Sequence, residues 1–147
     1  MTTITARPSL SAVVALLQQA GLPSEDLAAE RLEEFFQAGD PTAPLGIVGL
    51  EVSPPYALLR SLVVDARARS GGLGSRLLAH AEVHARSRGV RSLYLLTTTA
   101  EAFFAARGYS RTDRSEAPPF IRSSAEFAAL CPASAAFMVK QLGASVR

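Results

Sequence analysis

The chain is poor in cysteine, in clustered charge and in long apolar runs, and each shortage excludes a class of protein. Cys131 is the lone cysteine among 147 residues, so neither an internal disulfide nor a cysteine-based metal cluster can form. That usage fits a reducing compartment, and a cytoplasmic location is the expectation. Lys and Arg outnumber Asp and Glu only by 15 to 13, and the excess is Arg spread along the chain. Without a block of about five basic residues, no nucleic-acid groove is implied. No stretch approaches the roughly 18 apolar residues of a membrane span. The first ten residues lack the basic start and apolar run of a signal peptide. Charged residues are 19% and apolar residues 48%, a balance that buries a core and argues against disorder. One domain over residues 1–147 is the expected organisation.

What is present alternates between strand and helix signals, without internal repeats. Residues 2–6 read as a weak edge strand. Ser9 or Ser11 can cap a helix over Leu10–Leu17, with Gly21 at its C-terminal end. Ser24 can cap a short second helix through Leu27. Residues 31–38 fit helix or strand, with Glu33 and Glu34 tipping local propensity toward helix. Gly39-Asp40-Pro41 is a turn. Leu45–Val52 and Tyr56–Val64 read as strands, the second apolar enough to be covered on both faces. Ser75–Arg88 is an amphipathic helix and Ser92–Thr97 a buried strand. Thr98-Thr99-Ala100-Glu101 and Ser123-Ser124-Ala125-Glu126 each match a capping box. Residues 109–112 and 135–142 read as the last strands. Helices and strands alternating over one central sheet give an α/β or α+β domain.

The chemistry concentrates after the apolar strand, in Arg69-Ser70-Gly71-Gly72-Leu73-Gly74 followed by a helix from Ser75. Glycines there let the backbone adopt unusual conformations and a ligand approach closely. N–H groups at the helix start, with the helix dipole, favour an anion such as a diphosphate. The Walker pattern is absent, because Ser75-Arg76 stands where Lys-Ser or Lys-Thr belongs. The dinucleotide fingerprint is absent too, because Leu77 replaces its third glycine.

Arg69-x-x-Gly72-x-Gly74 resembles the acetyl-coenzyme A loop of GNAT-superfamily N-acetyltransferases. The run Ala102-Phe103-Phe104-Ala105-Ala106-Arg107-Gly108-Tyr109 is similar to the aromatic helix and strand start that follow in that family. Residues 58–64, 93–99 and 130–135 look like the subfamily found with arsenic-resistance operons. The resemblance covers nearly the whole chain. It implies a mixed α/β (α+β) sheet, splayed between two central strands and flanked by helices on both faces, with residues 31–38 as a strand. It also implies acetyl-coenzyme A as co-substrate, a small-molecule amine as acceptor, no resident metal, and often a homodimer.

The resemblance further implies site residues. Arg69, Ser70, Gly71, Gly72, Leu73, Gly74 and Ser75 would cradle the diphosphate. Backbone groups of Leu62, Val63 and Val64 would pair with the pantetheine arm, with the Leu62 N–H a candidate to polarise the thioester carbonyl. The helix carrying Phe103, Phe104 and Arg107 would flank that arm. Phe104 stands where many members carry a tyrosine general acid, and phenylalanine has no proton to give. Tyr94 and Tyr109 are nearby phenols in the sequence.

Glu51 and Arg60 are charges in otherwise apolar strands, which need a reason. With residues 53–56 as a turn, they sit diagonally on one face. Glu51 could take the amine proton and Arg60 bind an acceptor carboxylate, or the two could form a structural ion pair. Thr97 and Thr98 end a strand at the edge where open sheets bind ligands, so an acceptor role stands beside a capping role. His80 and His84 have zinc-like spacing but no third ligand, and read as exposed residues. Cys131 reads as a structural thiol. Three functions follow: acetyl transfer to a small, anionic metabolite or toxicant amine, linked by the resemblance to arsenic detoxification; a non-catalytic acyl-coenzyme A sensor; or acetylation of protein amines.

Overall fold

A computed structural model describes residues 2–143. Its seven strands are β1 (Ile4–Ala6), β2 (Phe35–Ala38), β3 (Gly46–Ser53), β4 (Tyr56–Val64), β5 (Ser92–Thr97), β6 (Ser110–Arg111) and β7 (Ala136–Gln141). They hydrogen-bond in the order β1-β2-β3-β4-β5-β7-β6. The helices are α1 (Leu10–Ala20), α2 (Leu73–Ser87), α3 (Glu101–Ala105) and α4 (Pro119–Arg122). The sheet is mixed: β4 and β5 are parallel, whereas β1–β2, β2–β3, β5–β7 and β6–β7 are antiparallel. This is the expected mixed α/β architecture. The parallel ladder pairs only Tyr56–Leu58 with Ser92–Tyr94, one third of the nine-residue β4. Ser61, farther along β4, takes a left-handed φ of 61° inside the strand.

The described residues form two compact units, 2–51 with 59–83, and 52–58 with 84–143. In the first, α1 starts at Ser9, whose Oγ accepts the Ala12 N–H, and ends at Gly21 with φ 70°. The Gly21 N–H donates to Gln18 C=O and the Leu22 N–H to Leu17 C=O. That Schellman-type end reverses the chain and directs Pro23–Asp26 away from the helix axis. Val13, Leu16 and Leu17 of α1 form a core with Leu32, Phe35, Ile47 and Val63, and Leu22 packs against it. In the second unit, Leu58, Ala117, Ile121 and Phe137 form a separate core, with Tyr94 and Phe127 packed on it.

Several local expectations are corrected. Residues 24–27 form a turn closed by Leu27 N–H to Ser24 C=O, and the helical residues are Ala29–Leu32 in 3-10 form. Strand β2 occupies only the second half of residues 31–38, because Phe35 and Phe36 bury on opposite faces of a paired strand and override the helix propensity of Glu33 and Glu34. The first capping box does not form: α3 begins after Ala100 without a side-chain cap, and Thr97 Oγ1 instead accepts the Ala100 N–H at 3.0 Å. The second does not form as read either: Ser123 Oγ donates back to Phe120 C=O, and it is Ser124 Oγ that accepts the Phe127 N–H, ahead of a π-helical turn at Glu126–Leu130. His80 is half-buried, with its ring edge-on to Phe36 at 4.6 Å.

Phe35 lies directly across from Gly49, and a Cβ at Gly49 would come within 2.3 Å of its Cζ. Gly49→Ala should therefore destabilise the fold by about 1–3 kcal/mol through overpacking, read as a lower urea midpoint with an unchanged m-value.

Candidate functional site

The first unit places most of the expected residues along β4 and the segment after it. Beyond Val64, Asp65 caps a 3-10 turn over Ala66–Ala68, accepting from the Arg67 N–H and from Arg67 Nε at 2.9 Å. These bonds hold the Asp65 carboxyl below its ordinary range, the Arg67 side chain being the largest cause. Helix α2 begins at Leu73, two residues earlier than the expected Ser75, so Leu73 and Gly74 form its first turn. Its first i→i−4 bond runs from the Arg76 N–H to the Gly72 C=O, 3.1 Å. The N–H groups of residues 73–75 precede that bond, as an anion-binding helix start requires.

The left-handed positions in the loop are Ser70, φ 72°, and Gly72, φ 78°. Gly71 has no such φ, and a Cβ there would meet only Ala68 C=O at 3.6 Å; at Gly72 it would meet nothing within 4 Å. Packing inside the protein therefore does not exclude side chains from the loop surface. A ligand that must approach the backbone closely would. Leu73 is buried and so is not displayed to a ligand by its side chain, while Arg69, Ser70, Gly71 and Gly72 are exposed. Arg69 turns back, its Nε donating to Val64 C=O at 3.1 Å. One of the backbone groups expected to meet a pantetheine arm thus already has a partner. Leu62 and Val64 are half-buried and Val63 belongs to the core.

Glu51 and Arg60 come together, with Arg60 NH1 3.0 Å from Glu51 Oε2. A third member, Asp26, was not anticipated. It takes Arg60 in a fork, NH1 to Oδ2 at 2.5 Å and NH2 to Oδ1 at 3.0 Å. NH2 also donates to Pro23 C=O at 3.3 Å and Nε to Ser61 Oγ at 3.0 Å. These acceptors account for all five donors of the guanidinium. The Arg60 side chain has 0% of its surface exposed, against 11% for Asp26 and 17% for Glu51. The only sequence signal for Asp26 was an acidic residue following a helix stop, which carries no information about a partner 34 positions away.

The second unit holds the remaining candidates. Arg107 stacks on Phe103, 3.7 Å from the ring centroid, and its NH1 donates to Phe103 C=O. Phe104 is buried, edge-on to Phe103 and Tyr109. Thr97 is half-buried and engaged with Ala100, and Thr98 is exposed. Tyr94 stacks on Phe137 at 5.4 Å. Burial, with smaller effects of Tyr56 and Glu116, pushes its phenol above the usual tyrosine range. Among the described residues, no group of three or more His, Cys, Asp or Glu could hold a metal, and no helix is long and apolar enough to cross a membrane.

Residues 11–110 match the sequence profile of the acetyltransferase (GNAT) family. An amino-acid acetyltransferase of Neisseria meningitidis serogroup A is 40% identical over 57 residues, which is 39% of this chain and 13% of that protein. N-acetylglutamate synthase of Neisseria gonorrhoeae, solved with coenzyme A and N-acetyl-glutamate, superposes with a TM-score of 0.80 at 24% identity, covering 97% of this chain and 35% of its own. The chain thus spans a minor part of these relatives. A GNAT-family acetyltransferase from Staphylococcus aureus Mu50 superposes at TM-score 0.72 and 15% identity, covering 97% of this chain and 100% of its own.

Two measurements check this geometry. Ser70→Gly should raise stability by about 1 kcal/mol by relieving the left-handed φ, seen as a higher thermal midpoint. Because the folded pKa of Tyr94 is raised, its contribution to stability is complete below the unfolded value near 10 and is lost as pH rises through the folded value. Tyr94→Phe should therefore flatten the alkaline limb of the stability–pH curve.

Proposed function

Because the chain belongs to the acetyltransferase (GNAT) family, we propose that it transfers the acetyl group of acetyl-coenzyme A to the amine of a small, amino-acid-like acceptor. The observation that carries this reading is the loop from Arg69 to Ser75, opening α2 after β4 and a 3-10 turn, with open space over Gly72 and only an ordinary contact at Gly71. The diphosphate of acetyl-coenzyme A would sit on the N–H groups of Leu73, Gly74 and Ser75, against the positive end of the α2 dipole. The Leu62 N–H, next to the left-handed Ser61, is the candidate donor to the thioester carbonyl oxygen.

The reaction is a direct displacement. The neutral amine attacks the thioester carbon, a C–N bond forms, the C–S bond breaks, and the coenzyme A thiolate leaves and takes a proton. Glu51, half-buried and held by Arg60, is the candidate base for the amine proton. Phe104 offers no proton, so the thiolate is reprotonated by water or by a group other than the side chain at that position. Holding both reactants in line supplies much of the rate.

The amino-acid acetyltransferase relatives support an amino-acid-type acceptor, in which a carboxylate stands beside the amine. That agrees with an anionic metabolite or toxicant. The likeness to the arsenic-operon subfamily keeps arsenic- and phosphorus-containing amino acids in the acceptor panel.

Gly72→Glu, which sets a carboxylate in the cradle, should abolish coenzyme A binding by calorimetry while retaining the circular dichroism of the fold. Undiminished binding would remove the cradle from this reading. Glu51→Gln should lower kcat by about 100-fold or more in a thiol-release assay, with coenzyme A affinity unchanged. Thioester turnover that stays undetectable across the acceptor panel would favour an acyl-coenzyme A sensor instead.

A further inference from the structure

Arg60 is the one cation within the cluster formed with Asp26 and Glu51, and it is entirely covered. An acceptor carboxylate cannot reach it while Asp26, Glu51, Ser61 and the Pro23 carbonyl hold its five donors. The five are unequal. Ser61 adjoins Arg60 in β4, and Glu51 reaches it from β3 in the same unit. Asp26 and Pro23 arrive on a short non-helical segment between the end of α1 and the 3-10 turn at Ala29. Asp26 offers what an amino-acid acceptor would offer, a carboxylate across both terminal nitrogens of the guanidinium.

We propose that Asp26 determines acceptor specificity by occupying the Arg60 fork as an internal substitute for the acceptor's carboxylate. A carboxylate-bearing acceptor must displace Asp26, and the segment Pro23–Asp26 moves off β4 when it does. An acceptor without a carboxylate meets the closed fork and leaves it closed. The exchange conserves the charge around Arg60, because one carboxylate replaces another. No covalent step is involved. Displacement costs one bidentate pair and regains one, while the released Asp26 passes into water. Asp26 therefore discriminates by competition, and removing its charge relieves that competition only for ligands able to fill the fork.

This inference rests on the reading of the site as an acetyltransferase acceptor site, so its test reads binding and not turnover. The full chain, saturated with coenzyme A, is titrated by calorimetry with L-glutamate and with its two monoamides, glutamine and isoglutamine. Asp26→Asn should tighten glutamate relative to at least one monoamide by about tenfold or more compared with wild type. The double variant Asp26→Asn, Arg60→Gln should lose that gain. An equal gain for all three ligands would mean that the segment merely loosened, and would overturn the proposal. So would Asp26→Asn failing to bind glutamate at all. In the unaltered protein, the carbon-13 resonance of the Asp26 carboxylate should move on adding glutamate, and an immobile resonance would also overturn it. Failure of coenzyme A to bind in the same titrations would instead strike the parent reading, which keeps the two apart.

Discussion

The first unit is organised around the burial of one guanidinium. Removing a charge from water costs several kcal/mol, and Arg60 lies on a strand whose neighbours Leu58 and Leu59 are buried and apolar. Burial is tolerable only because every donor finds an acceptor, and the acceptors come from three places in the chain. Glu51 ties the cluster to β3, Ser61 to β4, and Asp26 with Pro23 to the segment after α1. The Schellman end of α1 is therefore more than a stop signal. It delivers the segment that completes the coordination of Arg60. Whatever leaves one of these acceptor positions must be replaced by another acceptor, so the acceptor-side geometry and the packing of this unit are coupled.

The same strand serves two demands. Its first three residues pair with β5, as an ordinary parallel strand does. Its later residues carry the left-handed Ser61 and lead into the glycine loop. A non-glycine residue at φ 61° inside a strand is costly. Here the Ser61 hydroxyl accepts from Arg60 Nε, so the distortion and the buried charge share a hydrogen bond. The loop farther on solves a different problem. Gly72 supplies the turn conformation, while Gly71 is glycine where nothing within the protein demands it.

Much of this was legible in the amino-acid sequence, for reasons that can be named. Short, largely apolar runs bounded by turn signals marked β3, β4 and β5 to within a residue, because strands covered on both faces have few ways to be anything else. The glycine loop was legible because its spacing excludes the other phosphate-binding patterns. The contact of Glu51 with Arg60 followed from hairpin register, since the turn between the strands is short. What failed was local chemistry competing with tertiary demand. Thr98-Thr99-Ala100-Glu101 has the residues of a capping box, yet Thr97 provides the hydrogen bond to Ala100 and α3 starts later. Ser24 has the residue type of a cap, yet the segment is drawn toward Arg60 and does not coil. Asp26 was invisible for the same reason: its partner is set by where the chain end of α1 is aimed, not by any pattern around it.

Family membership constrains the donor half of the reaction far more than the acceptor half. A diphosphate is recognised by backbone N–H groups, which depend on a few glycines and a helix start, and these can be read from sequence and found again in the fold. An acceptor amine is recognised by side chains whose availability depends on what else they bind. Arg60 illustrates the difference. As a residue in a sequence it is a free cation suited to a carboxylate; in the folded chain it is already committed, and its usefulness to an acceptor depends on how readily one partner yields. The relevant energy is then a difference between two carboxylate complexes of the same guanidinium, one internal and one external. Such a difference can be small even when each complex is strong, which is how a buried and fully bonded arginine can still take part in selectivity.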